Sequence, residues 1–180
     1  MSSFFPLSEA LKNELIKNVS RVTYPKKTLL LREGEMHNSL YFIEKGILRT
    51  FIRKNKEDIT TLFIKENDFL VSSFRFVNQH SLEYIEVLED ATILVFNYED
   101  ITKLYQDFPE ANILGRTIIE HTYYRTYHRL ITMLKFSTKE QYEMLIEQQP
   151  DLFQRVPLSH IASFLGIKKE SLSRIRKNII

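Results

Sequence analysis

The sequence predicts an α+β chain: an N-terminal antiparallel β-sandwich, one long helix and a C-terminal helix-turn-helix. Three observations carry that prediction. Short β-prone runs, separated by turn punctuation roughly 10 residues apart, fill residues 22–96. A proline-free stretch from Glu110 to about Leu134 places apolar residues at helical spacing. The last thirty residues combine a basic excess with the small-residue, Gly and apolar spacing of two helices meeting at a tight turn. At 180 residues, with 43% hydrophobic and 12% aromatic content, the chain has material for one medium domain and a small appendage. A large multidomain enzyme is excluded.

Taken in order, Leu7, Leu11, Leu15, Ile16 and Val19 space as one face of a short lead-in helix, with Ser8 placed to cap it. Strands are expected over 28–31, 40–44, 47–52, 59–64, 83–88 and 92–96, within a sheet region of about eight strands. Glu33-Gly34-Glu35, Glu44-Lys45-Gly46, Lys54-Asn55-Lys56 and Glu66-Asn67-Asp68 supply the turns. Ile101, Leu104, Tyr105 and Phe108 then mark a helix that Pro109 stops. In the long helix, Ile119, Tyr123, Tyr127, Leu130 and Leu134 form a stripe that suits either packing on the β-domain or a coiled-coil-like seam. A further helix over 138–149, capped by Ser137 or Thr138, has Tyr142, Leu145 and Ile146 as its apolar face. The expected units are 1–109, the β-sandwich; 110–136, the long helix; and 137–180, the helix-turn-helix.

Composition narrows the chemistry. No apolar run approaches the roughly 20 residues that cross a bilayer, and Met1-Ser-Ser-Phe-Phe-Pro lacks the basic region and apolar core of a secretory signal. A cytoplasmic protein without membrane contact is expected. With no cysteine, disulfides, thiolate nucleophiles, cysteine-ligated zinc and cysteine-held iron-sulfur clusters are excluded. No Gly-rich phosphate loop, His-Glu-x-x-His or nucleophile motif is present, so no catalytic residue and no enzyme is expected. His37, His80, His121, His128 and His160 are scattered, and His121 and His128 lie about 10 Å apart along a helix, too far to share one ion. No metal or cofactor is expected.

Charge is unevenly placed. From Arg155 onward there are six basic residues, Arg155, Lys168, Lys169, Arg174, Arg176 and Lys177, against the single acidic Glu170, a net of +5 on a chain of net +2, leaving −3 elsewhere. A basic end on an acidic body points to a polyanion. Within that end, Ala162 is small enough for close helix approach, Gly166 suits a left-handed turn, Ile167 plugs the angle, and Ile161, Leu165, Leu172 and Ile175 form an inner face. The second helix then presents Lys168, Lys169, Glu170, Ser171, Ser173, Arg174, Arg176 and Lys177, a set fitted to a DNA major groove. A lipid-binding helix needs no such upstream spacing and favours Phe or Trp on its apolar face.

The run Ile161-Ala162-Ser163-Phe164-Leu165-Gly166-Ile167 followed by Glu170-Ser171-Leu172-Ser173-Arg174-Ile175-Arg176 resembles the helix-turn-helix of CRP/FNR transcription regulators, especially the short Bacteroidetes-type forms. Upstream, 25–31 with Glu33-Gly34-Glu35, Leu40-Tyr41-Phe42-Ile43 with Gly46, and Val87-Leu88-Glu89-Asp90-Ala91 are similar to the cyclic-nucleotide-binding jelly roll of that family. The resemblance spans about residues 8–178. It implies a jelly-roll effector domain, a homodimer joined along Ile119, Tyr123, Tyr127, Leu130 and Leu134, and double-stranded DNA of near-palindromic sequence as the partner. RNA polymerase is a further candidate partner. By the same analogy Lys169, Glu170 and Arg174 read bases, while Ser171, Ser173, Arg176 and Lys177 lie nearer phosphates.

The effector cassette departs from the family. Where Gly-Glu binds ribose, this chain has Val71 and Ser72, followed by Ser73; where Arg and a small hydroxyl clasp the cyclic phosphate, it has Ser81 and Leu82, with Glu83 beside them. A buried phosphate needs a charge-assisted partner, and Arg75, the only basic residue of the stretch, reads as a surface residue. Cyclic AMP is therefore not expected as effector, and the effector is unknown. The sequence ends soon after the recognition helix, so no β-hairpin wing is expected. A competing reading is a ligand-sensing or protein-interaction module with a vestigial helix-turn-helix.

Overall fold

A computed structural model describes residues 7–177; of Ser73 and Phe76 the backbone alone is described. The architecture is the expected α+β one. Helix α1 (Glu9–Asn18) begins where the Ser8 side chain accepts a hydrogen bond from the Leu11 backbone N–H, and it buries Leu11. Eight strands follow: β1 (Val19–Tyr24), β2 (Leu29–Leu31), β3 (Ser39–Lys45), β4 (Leu48–Lys54), β5 (Glu57–Ile64), β6 (Phe69–Leu70), then the one-turn helix α2 (Ser73–Phe76), β7 (Tyr84–Val87) and β8 (Ala91–Asn97). They form two antiparallel four-stranded sheets, ordered β1-β8-β3-β6 and β2-β7-β4-β5. Ile43, Leu48, Ile64, Ile85, Val87 and Ile93 fill the space between the sheets.

One glycine is fixed by this packing. Gly46 has φ +103, and a Cβ there would stand 2.7 Å from the Ala91 Cβ and 2.8 Å from its Cα, so only Gly fits the turn between β3 and β4.

Helix α3 (Tyr98–Asp107), capped by the Asn97 side chain, buries Ile101 and Leu104. It ends before Pro109, as expected, and Pro109 itself opens the next helix, α4 (Pro109–Lys135), at a position where its missing N–H is no loss. The 27 residues of α4 make a rod about 40 Å long. Its first half packs on α1 and α3 through Ala111 and Gly115 and on the sandwich through Ile118, and in its second half Arg125 pairs with Asp68. Helix α5 (Thr138–Gln148) starts with a capping box in which Ser137 and Glu140 satisfy each other's backbone N–H groups. Tyr142 and Leu145 are buried as expected, whereas Ile146 sits at the edge of the face and is exposed; Gln141 takes the inward place.

The chain ends in α6 (Leu152–Arg155), α7 (Leu158–Phe164) and α8 (Lys169–Lys177). Their core, built on Leu152, Ile161, Ala162, Leu165 and Leu172, is continuous with Ile47, Phe63 and Leu88 of the sandwich. Among the described residues no helix is long and apolar enough to cross a membrane.

Candidate nucleic-acid interface

The turn between α7 and α8 closes by a specific pair of bonds. Gly166, at φ +70, donates its N–H to the Ser163 carbonyl (3.0 Å), and Ile167 donates to the Ala162 carbonyl (3.0 Å). This is the Schellman arrangement, with the left-handed residue at its required place and an apolar residue following it. Helix α8 then starts from Lys168, whose carbonyl accepts from Ser171 and Leu172. Leu172 is fully buried and Ile175 packs beside it. Lys169, Glu170, Ser173, Arg174 and Lys177, spaced i, i+1, i+4, i+5 and i+8, share the opposite face.

Of the eight residues expected to face DNA, Lys168, Lys169, Glu170, Arg174, Arg176 and Lys177 are exposed, while Ser171 and Ser173 are half-buried. Arg176 lies on a flank of α8, and Ser171 turns toward its packed side. None of the five basic side chains pairs with a carboxylate among the described residues.

Arg155 behaves differently from the rest of the basic tail. It donates to Glu66 (Nη2–Oε1 2.5 Å, Nη1–Oε2 3.1 Å), to Glu89 and to Asp151 (3.3 Å), so its charge is spent fastening α6 to the sandwich. The Arg155 guanidinium, with the Gly46 N–H also donating, holds the Glu66 carboxyl down at about 2 against an ordinary 4.5. A carboxyl with a depressed folded-state pKa contributes stability that is full above its unfolded value and is lost as pH falls through the folded one. The fastening of α6 is therefore expected to weaken from about pH 5 down to about pH 2. Amide exchange at Leu152 and Val156 measured across that range, with Arg155→Gln as the pH-insensitive control, checks it.

Two further contacts hold α7. The Thr60 backbone N–H donates to Ser163 Oγ (2.8 Å), which donates to the Asp58 carbonyl (2.7 Å), pinning the first helix of the pair to β5. From α4, Arg129 donates to the Phe164 carbonyl and lies over its ring.

The sequence stripe on α4 is exposed throughout. Ile119, Tyr123, Tyr127, Leu130 and Leu134 all lie in solvent, Tyr123 at 68% and Leu134 at 75%, and the Tyr123 and Tyr127 rings stack at 5.9 Å. At 3.6 residues per turn Tyr123, Tyr127, Leu130 and Leu134 point away from Ile118, Arg125 and Arg129, the side turned to the body, while Ile119, one turn from Gly115, borders that side. Ile113, Tyr124 and Ile131 widen the apolar arc, although they fall off the strict four-four-three-four spacing of the stripe.

The cassette residues are dispersed. Ser72 and Ser81 are buried and Leu82 is exposed at 60%, while Val71 lines a cavity with Tyr98 and Ile119. The Ser73 side chain lies outside the described residues. Ser81 Oγ is occupied by the backbone N–H and carbonyl of Glu83 (both 3.0 Å). Glu83 turns inward, accepts from Thr61 Oγ1 (2.7 Å), and has its carboxyl pKa raised by burial. Arg75 is not the surface residue expected: its Nε is buried and its guanidinium lies 5.2 Å from the Tyr98 ring centroid, an arrangement that depends on α2 and α3 meeting in the fold.

Residues 21–108 match the cyclic nucleotide-binding domain family. No curated protein matches the chain in sequence. Among solved structures, the c-di-GMP-responsive global regulator CLP of Xanthomonas campestris is similar at 15% identity and TM-score 0.76, covering 96% of this chain and 91% of that one. FixK2 from Bradyrhizobium japonicum is similar at 14% identity and TM-score 0.77, covering 89% and 84%. A protein of Eubacterium rectale, described as a CRP/FNR-family transcriptional regulator, is similar at 18% identity and TM-score 0.74, covering 97% and 86%. At these identities the likeness is one of fold, and it extends through the C-terminal helices.

Proposed function

We propose that the chain is a DNA-binding transcription regulator of CRP/FNR type, acting as a homodimer in the cytoplasm and performing no catalysis. One observation carries the reading: α8 sits on an intact Schellman turn with Lys169, Glu170, Arg174 and Lys177 exposed on one face, the half-buried Ser173 among them, and its basic groups paired with no carboxylate among the described residues. A helix so placed can enter a major groove, with Arg174 reading a guanine edge and Lys177 and Arg176 near phosphates. A vestigial helix pair would not need to keep either the turn or the uncompensated charge. The match of residues 21–108 and the likeness to solved regulators support the same reading. The seam on α4 supplies the second copy and hence a two-fold site.

We further infer that cyclic AMP is not the switch. Ser81 has both its hydrogen-bonding roles filled, Glu83 brings a carboxyl to the place a phosphate would occupy, and Arg75 is engaged with Tyr98. The one guanidinium of the stretch, Arg75, is turned to the Tyr98 ring, and the inward Glu83 carboxyl opposes a phosphate.

Replacing Arg174 with Ala is expected to weaken binding to the selected DNA site by about 1 to 3 kcal/mol and to affect random DNA much less. Paired titrations on both DNAs at one fixed salt concentration measure it. Equal losses on the two would remove Arg174 from base reading.

A further inference from the structure

A cavity of about 420 Å³ opens between β5, one flank of α4, α5 and the end of α7. It lies within the roughly 300 to 1,000 Å³ range of small-molecule sites. No carboxylate lines it among the described residues, yet Arg125, Arg129, His121 and His128 do. The Arg129 guanidinium donates to Gln141 Oε1 (3.1 Å) and to the Phe164 carbonyl, both neutral, and stacks 3.8 Å from the Phe164 ring centroid. No carboxylate pairs with it among the described residues, and burial pushes its pKa down to about 10. The neighbouring Arg125 pairs with Asp68 through Nη1 while its Nε is buried without a hydrogen-bond partner. A desolvated cation with unused N–H donors is an unfavourable arrangement that a bound anion relieves.

We propose that this cavity binds a small organic anion, a phosphate or carboxylate carried on an aromatic body. Arg129 and Arg125 hold the anionic head. The ring lies against Tyr124 and Met144, with the amides of Gln148 and Gln149 at its edge. Apart from Tyr124, which also borders the apolar arc, the lining positions of α4 sit about a third of a turn or more from the centre of the exposed stripe, so a partner helix centred there leaves the Arg125 and Arg129 side of the mouth clear. The site is distinct from the β-sandwich cassette, since none of Val71, Ser72, Ser81 or Glu83 lines it. Because the occupant touches α4, α5 and α7 together, it fixes the helix-turn-helix relative to the long helix; that consequence for DNA binding rests on the proposed function, whereas the binding does not.

Calorimetric titration of the full chain, without DNA, tests it with 2-naphthyl phosphate, 2-naphthoate, uncharged 2-naphthol and inorganic phosphate. Saturable binding of one aromatic anion per chain is expected, at least about tenfold tighter than 2-naphthol and than inorganic phosphate, as one charge-assisted contact implies. The better of the two anions identifies the head group. Arg129→Gln should lower that affinity at least about tenfold. Because Arg129 also supports Phe164, the exposed rim variant His128→Glu gives a second reading, with a loss of similar size and unchanged melting temperature. Absence of saturable binding by both anions, equal binding of 2-naphthol or of inorganic phosphate, or indifference to His128→Glu would overturn the proposal. DNA plays no part in the titration, so its failure and the failure of DNA reading are separate results.

Discussion

A chain carrying Glu at both Tyr127 and Leu130 is expected to sediment as a monomer and to bind a two-half-site DNA about 10² to 10⁴-fold more weakly than the parent, the range that loss of a tethered second contact implies. The two side chains sit mid-seam, 50% and 45% exposed in the single chain, on the side of α4 turned away from the body. Their replacement leaves the monomer's own core untouched, because that core is reached through Ala111, Gly115 and Ile118. Two carboxylates facing two symmetry-related carboxylates would repel at short range and would lose their hydration in the interface. Sedimentation and binding should therefore change together while the melting transition of the sandwich persists. A variant that stays dimeric places the seam elsewhere on the molecule.

Replacing Leu172 with Asp is expected to unfold the helix pair, at a cost of about 4 kcal/mol or more. Leu172 is fully buried where α8 meets Ile161, Ala162 and Leu165, and among the described residues no cation lies in that cluster to receive a carboxylate. The cluster extends to Ile47, Phe63 and Leu88, so the loss should also loosen the sandwich edge without dissolving its inter-sheet core. Hydrogen exchange reads this directly: fast exchange across 158–177, near-parental protection across β3, β4 and β8, and no DNA binding. Uniform protection in the variant would mean that α8 does not depend on this cluster.

The long-range bookkeeping of the fold explains which parts were legible from sequence. The α4 period, the capping Ser8 and Ser137, and the left-handed Gly166 are local signals, decided within one or two turns of chain, and each appears in the structure. Strand β1 was only half legible: none of Val19–Tyr24 is fully buried, and its alternation starts weakly inside the expected lead-in helix. β6 is two residues long, and α2 and α6 four each, too short for any period to register. At the candidate interface, the exposed face of α8 followed from helical spacing. Arg155, counted with the basic tail, proved to be a tether because its partners Glu66 and Glu89 are distant in sequence. The same holds for Arg129, whose neutral surroundings are assembled from α5 and α7, and for Ser163, which is tied to β5. A single residue's polarity announces a donor or acceptor; only the packed chain decides what answers it.

The most direct measurement is selection of bound fragments from the host's genomic DNA by the full chain at about 0.15 M salt, since affinity for random DNA falls steeply as salt rises. Enrichment is expected of a near-palindrome whose half-sites lie one helical turn, about 34 Å, or a multiple of it apart, with the preference relaxed at one base pair per half-site by Arg174→Ala. Recovery of fragments with no shared sequence, or of one equally enriched by the Arg174 variant, would contradict the assignment of α8 as the reading helix.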